Sequence, residues 1–263
     1  MSDTTALGDR MKAYEQVTRT MLPRRTYTIV RVDGRAFHTF LRHADRPFDD
    51  AVVAAMDAVG QTLCKQMAGA VLAYTQSDEC SVLITDFATP RTQPWFGGVV
   101  QKIASVAASI AAVAFNEQYG LDYDDAIATF DGRVFTIPDV EEVAAYFQWR
   151  QRDCVRNSIT MAAQAKFSHQ QLHGKRTGDM QEMLWSQHGI NWNDYPAGVK
   201  RGRVCVRRAE PADITYTDQR TQRETTKQVT RSRWEIEAAP SFTADPTGWL
   251  AAAIPARART PAA

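Results

Sequence analysis

The amino-acid sequence predicts an α+β domain whose first half follows the order strand, helix, strand, strand, helix, strand. Two observations lead to this class. Short runs rich in β-branched and aromatic residues end in turn residues, as in 26–34. Between these runs lie two longer segments in which apolar residues recur every three or four positions, which is the period of an amphipathic helix.

The chain begins with a short predicted helix followed by a strand. A helix over 10–20 stops before Pro23, because proline disfavours the helical conformation in the residue that precedes it. A strand follows over 26–32, and the turn pair Asp33-Gly34 ends it. We therefore expect Asp33 at the C-terminal end of a strand.

A helix, two strand-like runs and a second helix come next. Apolar spacing predicts a helix over 48–67, and an Ala-rich stretch predicts another over 95–119. Between them, 71–75 and 80–84 have strand composition. The segment Gln76-Ser77-Asp78-Glu79 separates these two runs, which indicates either a hairpin or an acidic interruption of one ribbon.

A strand near 126–130 completes the β-α-β-β-α-β order. This order is that of ferredoxin-like folds, which include the palm domains of enzymes that polymerise nucleotides. Beyond it, we expect helices over 140–150 and 156–171 and a late hairpin formed by 204–208 and 215–234.

Composition sets the class of protein. We expect one domain over 1–237 and an Ala/Pro-rich tail over 238–263 that is irregular or disordered. The hydrophobic share of 44% is ordinary for a globular protein. No apolar run approaches the roughly 20 residues of a membrane span, and the N-terminus lacks the pattern of a signal peptide. These features predict a soluble cytoplasmic protein with no membrane partner.

The whole-molecule charge and the cysteines are less informative. A net charge of +1 does not by itself indicate a nucleic-acid binder, so such a role must depend on local clusters. The four cysteines contain no CxxC pair, which argues against a structural zinc site and against a disulfide framework.

The acidic residues at the strand ends are the candidates for chemistry. In phosphoryl transfer, two metal ions about 3.5–4 Å apart activate the attacking oxygen and stabilise the leaving oxygen. Magnesium suits this task because it needs only one or two protein carboxylates beside substrate phosphates. Asp33 and Asp78, on neighbouring strands, would supply them. Gly34 would let the backbone approach a triphosphate, and the amides of residues 35–38 would cradle its oxygens. Taken singly, each Asp-containing motif is also compatible with an ordinary turn.

Several motifs together resemble a known family. They are Arg31-Val32-Asp33-Gly34-Arg35-Ala36-Phe37-His38, Arg46-Pro47-Phe48-Asp49, Tyr74-Thr75-Gln76-Ser77-Asp78-Glu79, Phe130-Asp131-Gly132-Arg133 and Trp149-Arg150-Gln151. In this order, from Tyr14 to about Arg208, they resemble the tRNA-histidine guanylyltransferases and their Thg-like bacterial and archaeal relatives, which extend RNA in the 3′-to-5′ direction.

The resemblance implies a palm-like active site with two Mg²⁺ ions. Asp33, the Gly34 carbonyl and Asp78 would be metal ligands, and Asp33, Asp78 and Glu79 the catalytic acids. The implied nucleotide-binding residues are Asp33, Gly34, Arg35, Ala36, Phe37, His38, Arg46, Asp49, Ser77, Asp78, Lys102, Asp131 and Arg133. An ordinary helix N-terminus remains the alternative for Arg46 and Asp49, and a packing or surface role for His38.

The resemblance also implies a reaction and its partners. ATP would adenylylate the 5′-monophosphate of tRNA, and the 3′-hydroxyl of an incoming nucleotide, typically GTP, would then displace AMP. Family members assemble as tetramers, so a homotetramer is expected. The residues alone do not distinguish this direction of synthesis from conventional polymerisation.

Two departures from the family pattern bear on substrate choice. Eukaryotic members carry a His-Ile-Asn-Asn-type run where this chain has Cys154-Val155-Arg156-Asn157-Ser158, which places it nearer the Thg-like relatives that repair 5′-truncated tRNAs. The chain keeps Lys102 but has Gly97-Gly98-Val99-Val100 where eukaryotic members are basic, which bears on how the triphosphate is held.

Basic clusters supply candidate RNA contacts. We predict them at Arg150, Arg152, Arg156, Asn157, Lys175, Lys200 and Arg201. A solvated charged face is the alternative. Trp149, Trp185, Trp192 and Tyr195 would stack on unpaired bases or serve as core and subunit contacts. For the whole protein, the alternatives are a palm-type cyclase or conventional polymerase, and a non-catalytic RNA-binding module.

Overall fold

The computed structural model describes residues 5–120, 126–217, 219–220, 222–245 and 247–257. Within these residues, six strands form one antiparallel sheet in the order β4-β1-β3-β2-β5-β6. The strands are β1 Tyr27–Gly34, β2 Ala70–Gln76, β3 Glu79–Thr85, β4 Phe130–Ile137, β5 Arg203–Thr217 and β6 Glu224–Ala238. The predicted α+β class is confirmed.

The described residues also contain nine α-helices and two 3₁₀ turns, at Trp95–Gly98 and Trp192–Asp194. The helices are α1 Ala6–Gln16, α2 Phe37–Phe40, α3 Asp50–Gln66, α4 Val100–Tyr119, α5 Val140–Gln164, α6 His169–Leu172, α7 Thr177–His188, α8 Ala197–Arg201 and α9 Gly248–Ala253. None of the helices in this part of the chain is both long and apolar enough to cross a membrane.

Helices α3 and α4 cover one face of the sheet. Val30 and Val32 of β1 point to this face and pack with Leu63 of α3 and Ile103 and Phe115 of α4. These side chains are buried, as expected for alternate residues of a strand that lies inside a sheet.

Helix α5 covers the other face. Ile29 of β1, Leu83 of β3 and Tyr74 of β2 point to this side, where Phe147 of α5 and Phe242 complete the cluster. Alternate residues of a strand point to the same face, so Arg31 and Asp33 point to the same side as Ile29. The polar end of β1 therefore also lies on the α5 side of the sheet.

Three predicted boundaries were wrong near the first half of the chain. The first helix starts at Ala6 because the Thr5 hydroxyl accepts a hydrogen bond from the Gly8 amide at 3.1 Å. The second long helix starts at Val100, since Phe96 and Gly97 have left-handed backbone angles (φ 48° and 64°) that break the helical path.

The strand predicted near 126–130 instead runs over Phe130–Ile137. Ala128, just before this strand, does not pair with a neighbouring strand, because its amide and carbonyl both bond to the Asn116 side chain. The hairpin reading of 71–84 is confirmed, since β2 and β3 pair directly through the turn at Ser77-Asp78.

The two helices predicted over 140–150 and 156–171 are mainly one helix of 25 residues, α5. The helix continues through residues 151–155, where a break was predicted. Arg150 and Asn157, on either side of this stretch, both donate hydrogen bonds to the Asp153 carboxylate. The late hairpin is confirmed as β5 and β6, which pair over their full length, but residues 215–217, predicted in its second strand, belong to β5.

The segment after Ala238 was predicted to be irregular, but much of it packs on the domain. Phe242 and Leu250 are fully buried, and the rings of Phe242 and Trp249 stack at 4.1 Å. The amide of Phe242 donates to Gln151 Oε1 at 2.8 Å, which ties this segment to α5. The predicted domain over 1–237 and tail over 238–263 include residues 1–4 and 258–263, which lie outside the described residues.

Candidate active site

The end of β1 meets the β2–β3 turn. Asp33 lies opposite Glu79 of β3 on one side and opposite Asp131 of β4 on the other. The Gly34 amide donates to the Asp78 carbonyl at 3.0 Å, so the turn is held against the strand end. The sheet therefore brings together the acids that the sequence predicted to be neighbours.

Asp33 and Asp78, which we call the open carboxylates, carry little compensating charge. Burial raises the pKa of Asp33 to about 6, and the negative charges of Asp78, Glu79 and Asp131 add to this effect, while Arg31 opposes it. Burial also raises the pKa of Asp78, although its own backbone amide and the Ser77 hydroxyl act in the opposite direction. A cation bound here would relieve this repulsion.

The donor set fits magnesium. Two carboxylates and the Gly34 carbonyl are hard oxygen ligands, which magnesium prefers. In the part of the chain that the structure describes, no group of three His, Cys, Asp or Glu side chains is arranged to hold a metal by itself. Magnesium tolerates this arrangement because substrate phosphates and waters complete its octahedral shell.

Glu79 has a different environment. Its carboxylate is bound in a bidentate way by Arg150, with Nε–Oε1 at 2.8 Å and Nη2–Oε2 at 2.6 Å, and only 5% of the residue is exposed. Arg150 also donates to Asp153 at 2.9 Å. We call Glu79, Arg150 and Asp153 the closed network. Glu79 anchors β3 to α5 in this structure, and its role as a third catalytic acid stays a prediction.

The second Asp-Gly-Arg segment also lies at this site. Arg133 is directly opposite Arg31, and its guanidinium lies 3.9 Å from Asp33 and 3.5 Å from Asp131. The Arg31 guanidinium lies 3.8 Å from Asp33 and 3.9 Å from Glu79. Asp131 and Arg133, predicted as nucleotide-binding residues, are therefore placed beside the open carboxylates.

The predicted phosphate cradle at residues 35–38 is only partly present. The Arg35 amide donates to the Thr129 carbonyl at 2.8 Å, so it is not available to a ligand. The Phe37 ring is buried among Phe40, Phe115 and Phe130 and belongs to the core.

Gly34 is required for packing, whatever its predicted role towards a ligand. A Cβ at this position would lie 2.4 Å from the Phe37 ring, so a larger residue would force the ring out of the core. Ala36 has a left-handed φ of 56° and precedes the short helix α2. The exposed His38 side chain lies in this helix.

A cavity of about 100 Å³ opens next to the turn. It lies between the 41–49 segment, the start of α3, the middle of α5 and α8. Its lining includes the predicted residues Arg46, Asp49, Ser77 and Asn157. Gln76 also lines the cavity and was not among the predicted site residues; its signal was a polar residue at the buried end of a largely apolar strand.

Asp49 has the structural role that was left open as an alternative. It is the N-cap of α3 and accepts hydrogen bonds from the amides of Asp45, Ala51 and Val52. Partial burial acts to raise its pKa, but these amides outweigh it and lower the pKa below the ordinary value. Asp49 therefore fixes the cavity wall whatever else it contacts.

Lys102 lies in the first turn of α4, with its ammonium group 4.7 Å from the centre of the Phe96 ring. A cation is unfavourable at this end of a helix dipole, so helix stability does not explain the residue. The left-handed backbone at Phe96-Gly97 makes α4 begin at Val100, which places Lys102 in the first turn of this helix.

The predicted RNA contacts divide into two groups. Arg150 (7% exposed) and Lys200 (8%) are buried and bonded within the protein, and their contact with RNA stays a prediction. Arg201 is half-buried, and Asn157 lies in the cavity.

The second group is exposed. Arg152, Arg156 and Lys175 line an open groove of about 490 Å³ between α5 and α7, and Arg176 joins them. We call this the basic groove. Among the aromatic candidates, Trp149 and Trp185 are exposed, whereas Trp192 donates to Ser158 and Tyr195 packs on Phe48.

Comparison with family models gives two consecutive matches. Residues 8–138 match the model described as tRNAHis guanylyltransferase, and residues 141–240 match the Thg1 C terminal domain. Among curated proteins, the chain is 30% identical over 200 residues to the tRNA(His) guanylyltransferase of Debaryomyces hansenii, which covers 69% of this chain and 74% of that protein. It is 31% identical over 208 residues to a probable tRNA(His) guanylyltransferase of Mus musculus, which covers 73% of this chain and 67% of that protein.

Solved structures give closer matches. The chain is similar to a bacterial tRNA(His) guanylyltransferase-like protein in complex with ATP, with 41% identity, a TM-score of 0.79, and coverage of 91% of this chain and 95% of that one. A bacterial tRNA(His) guanylyltransferase-like protein in complex with GTP matches at 38% identity and a TM-score of 0.70, over 92% and 95% of the two chains.

Proposed function

Because the chain belongs to the tRNAHis guanylyltransferase family, a family of nucleotidyltransferases, we propose that it adds nucleotides to the 5′ end of tRNA in the 3′-to-5′ direction. The observation that carries this proposal is the pair of open carboxylates, Asp33 and Asp78, held beside a cavity at the end of the central strand. Acids that repel phosphates would hinder a protein that only binds RNA.

The fold supports a palm-type catalytic core. The first four strands follow the order β4-β1-β3-β2, and α3 and α4 lie on one face of them. This arrangement supports our proposal of a ferredoxin-like sheet, in which the end of β1 and the β2–β3 turn would meet. Asp33 and Asp78 occupy these two places.

Asp33, Asp78 and the Gly34 carbonyl would hold magnesium. When bound, the metal would neutralise phosphate charge and lower the pKa of an attacking oxygen. The chain's own cations support the same site, because Arg133 is exposed and lies within 4 Å of Asp33, where it can contact a phosphate. Ser77 and Arg46 line the adjoining cavity and would contact the nucleotide.

The reaction would proceed in two transfers. An oxygen of the tRNA 5′-phosphate would attack the α-phosphorus of ATP, and pyrophosphate would leave, giving an adenylylated end. The 3′-hydroxyl of GTP would then attack the 5′-phosphorus, lose its proton and displace AMP. Two similar proteins were solved with ATP and with GTP, which supports the choice of substrates.

Two surfaces support the proposed macromolecular partners. The basic groove would contact RNA phosphates, because it presents cations from α5 and from the segment that precedes α7. Helix α1 and the residues after it expose Leu7, Met11, Tyr14 and Val17, which lie three or four positions apart on one side. This stripe would take part in the contacts of a homotetramer.

The test measures incorporation of labelled GTP into 5′-monophosphorylated tRNA with ATP and magnesium. We expect 5′ addition by the wild-type protein and its loss in Asp78→Asn. Faster addition to tRNA that lacks its first nucleotide would identify repair, and preference for full-length histidine tRNA would identify guanylylation. Extension at a 3′-hydroxyl, or release of a cyclic nucleotide from ATP or GTP, would instead assign a conventional polymerase or a cyclase.

A further inference from the structure

The cavity beside the turn contains a buried polar atom without a partner. Gln76 is 2% exposed and lines the cavity. Its Oε1 atom accepts no hydrogen bond from any residue that the structure describes. A buried carbonyl oxygen in this state costs about 1–3 kcal/mol, so the position is unfavourable unless a ligand supplies a donor.

The orientation of the Gln76 amide follows from its neighbour. Its Nε2 lies 3.5 Å from Asp153 Oδ2, the carboxylate that Arg150 also binds. Rotating the amide would bring Oε1 towards this negative charge, which is unfavourable. The closed network therefore keeps the amide nitrogen on its side and leaves Oε1 as the acceptor for a ligand.

Other polar groups in this wall are already used. The Ser158 hydroxyl donates to the Val155 carbonyl and accepts from Trp192, and Arg203 is bonded to Asp57 and to two carbonyl groups. Asp49 accepts three backbone amides. Among the described side chains that line this cavity, Gln76 Oε1 is thus the buried acceptor without a hydrogen-bond partner.

The rest of the cavity suits a planar base. Much of its wall is apolar, with Leu41, Phe48, Val52, Met161 and Val199. Its volume of about 100 Å³ is smaller than a cavity that encloses an aromatic ring, so it would take the edge of a base that enters from its open side. Gln76 directly precedes Ser77 and Asp78, so a base in this cavity would have its phosphates towards the open carboxylates.

We propose that Gln76 is a specificity-determining residue, whose Oε1 accepts a hydrogen bond from the exocyclic amino group of the purine base of the bound nucleoside triphosphate. This inference rests on the proposed function. It predicts that the site favours purines with an amino group over analogues without one, by the energy of one buried hydrogen bond.

The experiment measures equilibrium binding by calorimetry with magnesium and without RNA, so that no transfer occurs. ATP is compared with purine riboside triphosphate, and GTP with inosine triphosphate, because each analogue lacks the exocyclic amino group. For the wild-type protein, we expect at least one pair to differ by about tenfold to a hundredfold in Kd. In Gln76→Met, which keeps the size of the side chain, this ratio should fall to near one.

Met161→Leu is the matched control, because it changes the same cavity wall without removing a polar atom. It should keep the wild-type ratio. If ATP and GTP bind but neither pair differs in the wild-type protein, or if the ratio persists in Gln76→Met, the inference is wrong and the proposed function stands. If Gln76→Met does not fold, the same ratios are measured in Gln76→Leu, which also lacks the acceptor and should lose the preference. Failure of both ATP and GTP to bind the wild-type protein would overturn the inference and the proposed function together.

Discussion

Asp78 and Glu79 are adjacent in the chain, yet their surroundings differ in almost every respect. Asp78 and its partner Asp33 are half-buried, and the cations nearest to Asp33 lie 3.8 and 3.9 Å away. Glu79 is buried and is bound by Arg150 at 2.6 and 2.8 Å. The difference follows from strand geometry, because Asp78 lies in the turn while Glu79 begins β3 and points to α5.

This contrast separates two tasks. The open carboxylates keep unbalanced charge, which disfavours the folded state but leaves oxygen ligands available to a cation. The closed network uses its charges internally and ties β3 to α5. We therefore expect substitutions in the first group to affect activity and substitutions in the second to affect stability.

The largest expected effect is on activity, in Asp78→Asn. Loss of one metal ligand should lower the rate of nucleotide addition by about a thousandfold or more, since metal stabilisation of the transition state is worth several kcal/mol. The folded protein should be at least as stable as the wild type, because a source of repulsion near Asp33 is removed. The measurement pairs single-turnover rates with chemical denaturation.

Glu79→Gln serves as the comparison in the same assay. If it lowered the rate as much as Asp78→Asn while leaving stability unchanged, the separation of tasks would be wrong. A loss of stability together with a smaller loss of rate is the expected pattern, because Glu79 is bonded to Arg150 and not open to substrate.

The next largest effect is on stability, in Arg150→Met. Removing Arg150 leaves the buried Glu79 with only Arg31, 3.9 Å away, to offset its charge, which should cost about 3 kcal/mol in the free energy of unfolding, the low end for a broken buried pair. The double variant Glu79→Gln/Arg150→Met should recover part of this loss, because neither charge is then left unpaired. Chemical denaturation of the four proteins in the cycle gives the coupling energy.

Arg133→Met is the matched control for that cycle, because Arg133 also lies near a carboxylate but is exposed. It should change stability by no more than about 0.5 kcal/mol. An equal loss in Arg133→Met and Arg150→Met would show that burial does not distinguish the two pairs.

A smaller loss is expected where the C-terminal segment holds α5 in place. Phe242 is fully buried, and its amide donates to Gln151, the residue after Arg150. Phe242→Ala should destabilise the protein by about 3 kcal/mol, the low end for a buried phenylalanine, because a terminal segment can readjust. Thermal unfolding measures this loss.

Tyr216→Ala is the control for this prediction, because Tyr216 lies in the exposed part of the β5–β6 ribbon. Its effect should stay within about 0.5 kcal/mol. If Phe242→Ala were equally mild, the closed network would not depend on the C-terminal segment.

Much of this architecture was predictable from local sequence. The strand ending at Asp33-Gly34 and the two runs around Ser77-Asp78 have strong composition and turn signals, and the structure places them as expected. The position of the acids at strand ends then followed from the pairing. Local patterns sufficed here because strand, turn and acid are adjacent in the chain.

The errors arose where residues far apart in the sequence determine burial and packing. Arg150 looked like a surface cation, and only its approach to Glu79, 71 positions earlier, shows that it is buried. The tail looked irregular because its apolar residues have no periodic pattern, yet Phe242 fills a gap between Tyr74 and Phe147. The break at Phe96-Gly97 depends on backbone angles that an Ala-rich helical pattern does not reveal.

The smallest predicted effect concerns the basic groove, which extends the comparison along α5. Arg152 and Lys175 are exposed, whereas Arg150, two residues from Arg152, is buried in the closed network. Replacing both groove residues with glutamate should weaken binding of tRNA by about tenfold at physiological salt and lower the slope of log K against log salt by roughly two.

The same double variant should bind ATP and GTP with wild-type affinity, because neither residue lines the cavity at the turn. Filter binding of tRNA at several salt concentrations and calorimetry of the nucleotides separate the two effects. A change in tRNA affinity without a change in slope would mean that the groove acts through the shape of α5 rather than through its charge. Because the slope counts phosphates neutralised, it distinguishes direct contact from an indirect effect, which a single affinity does not.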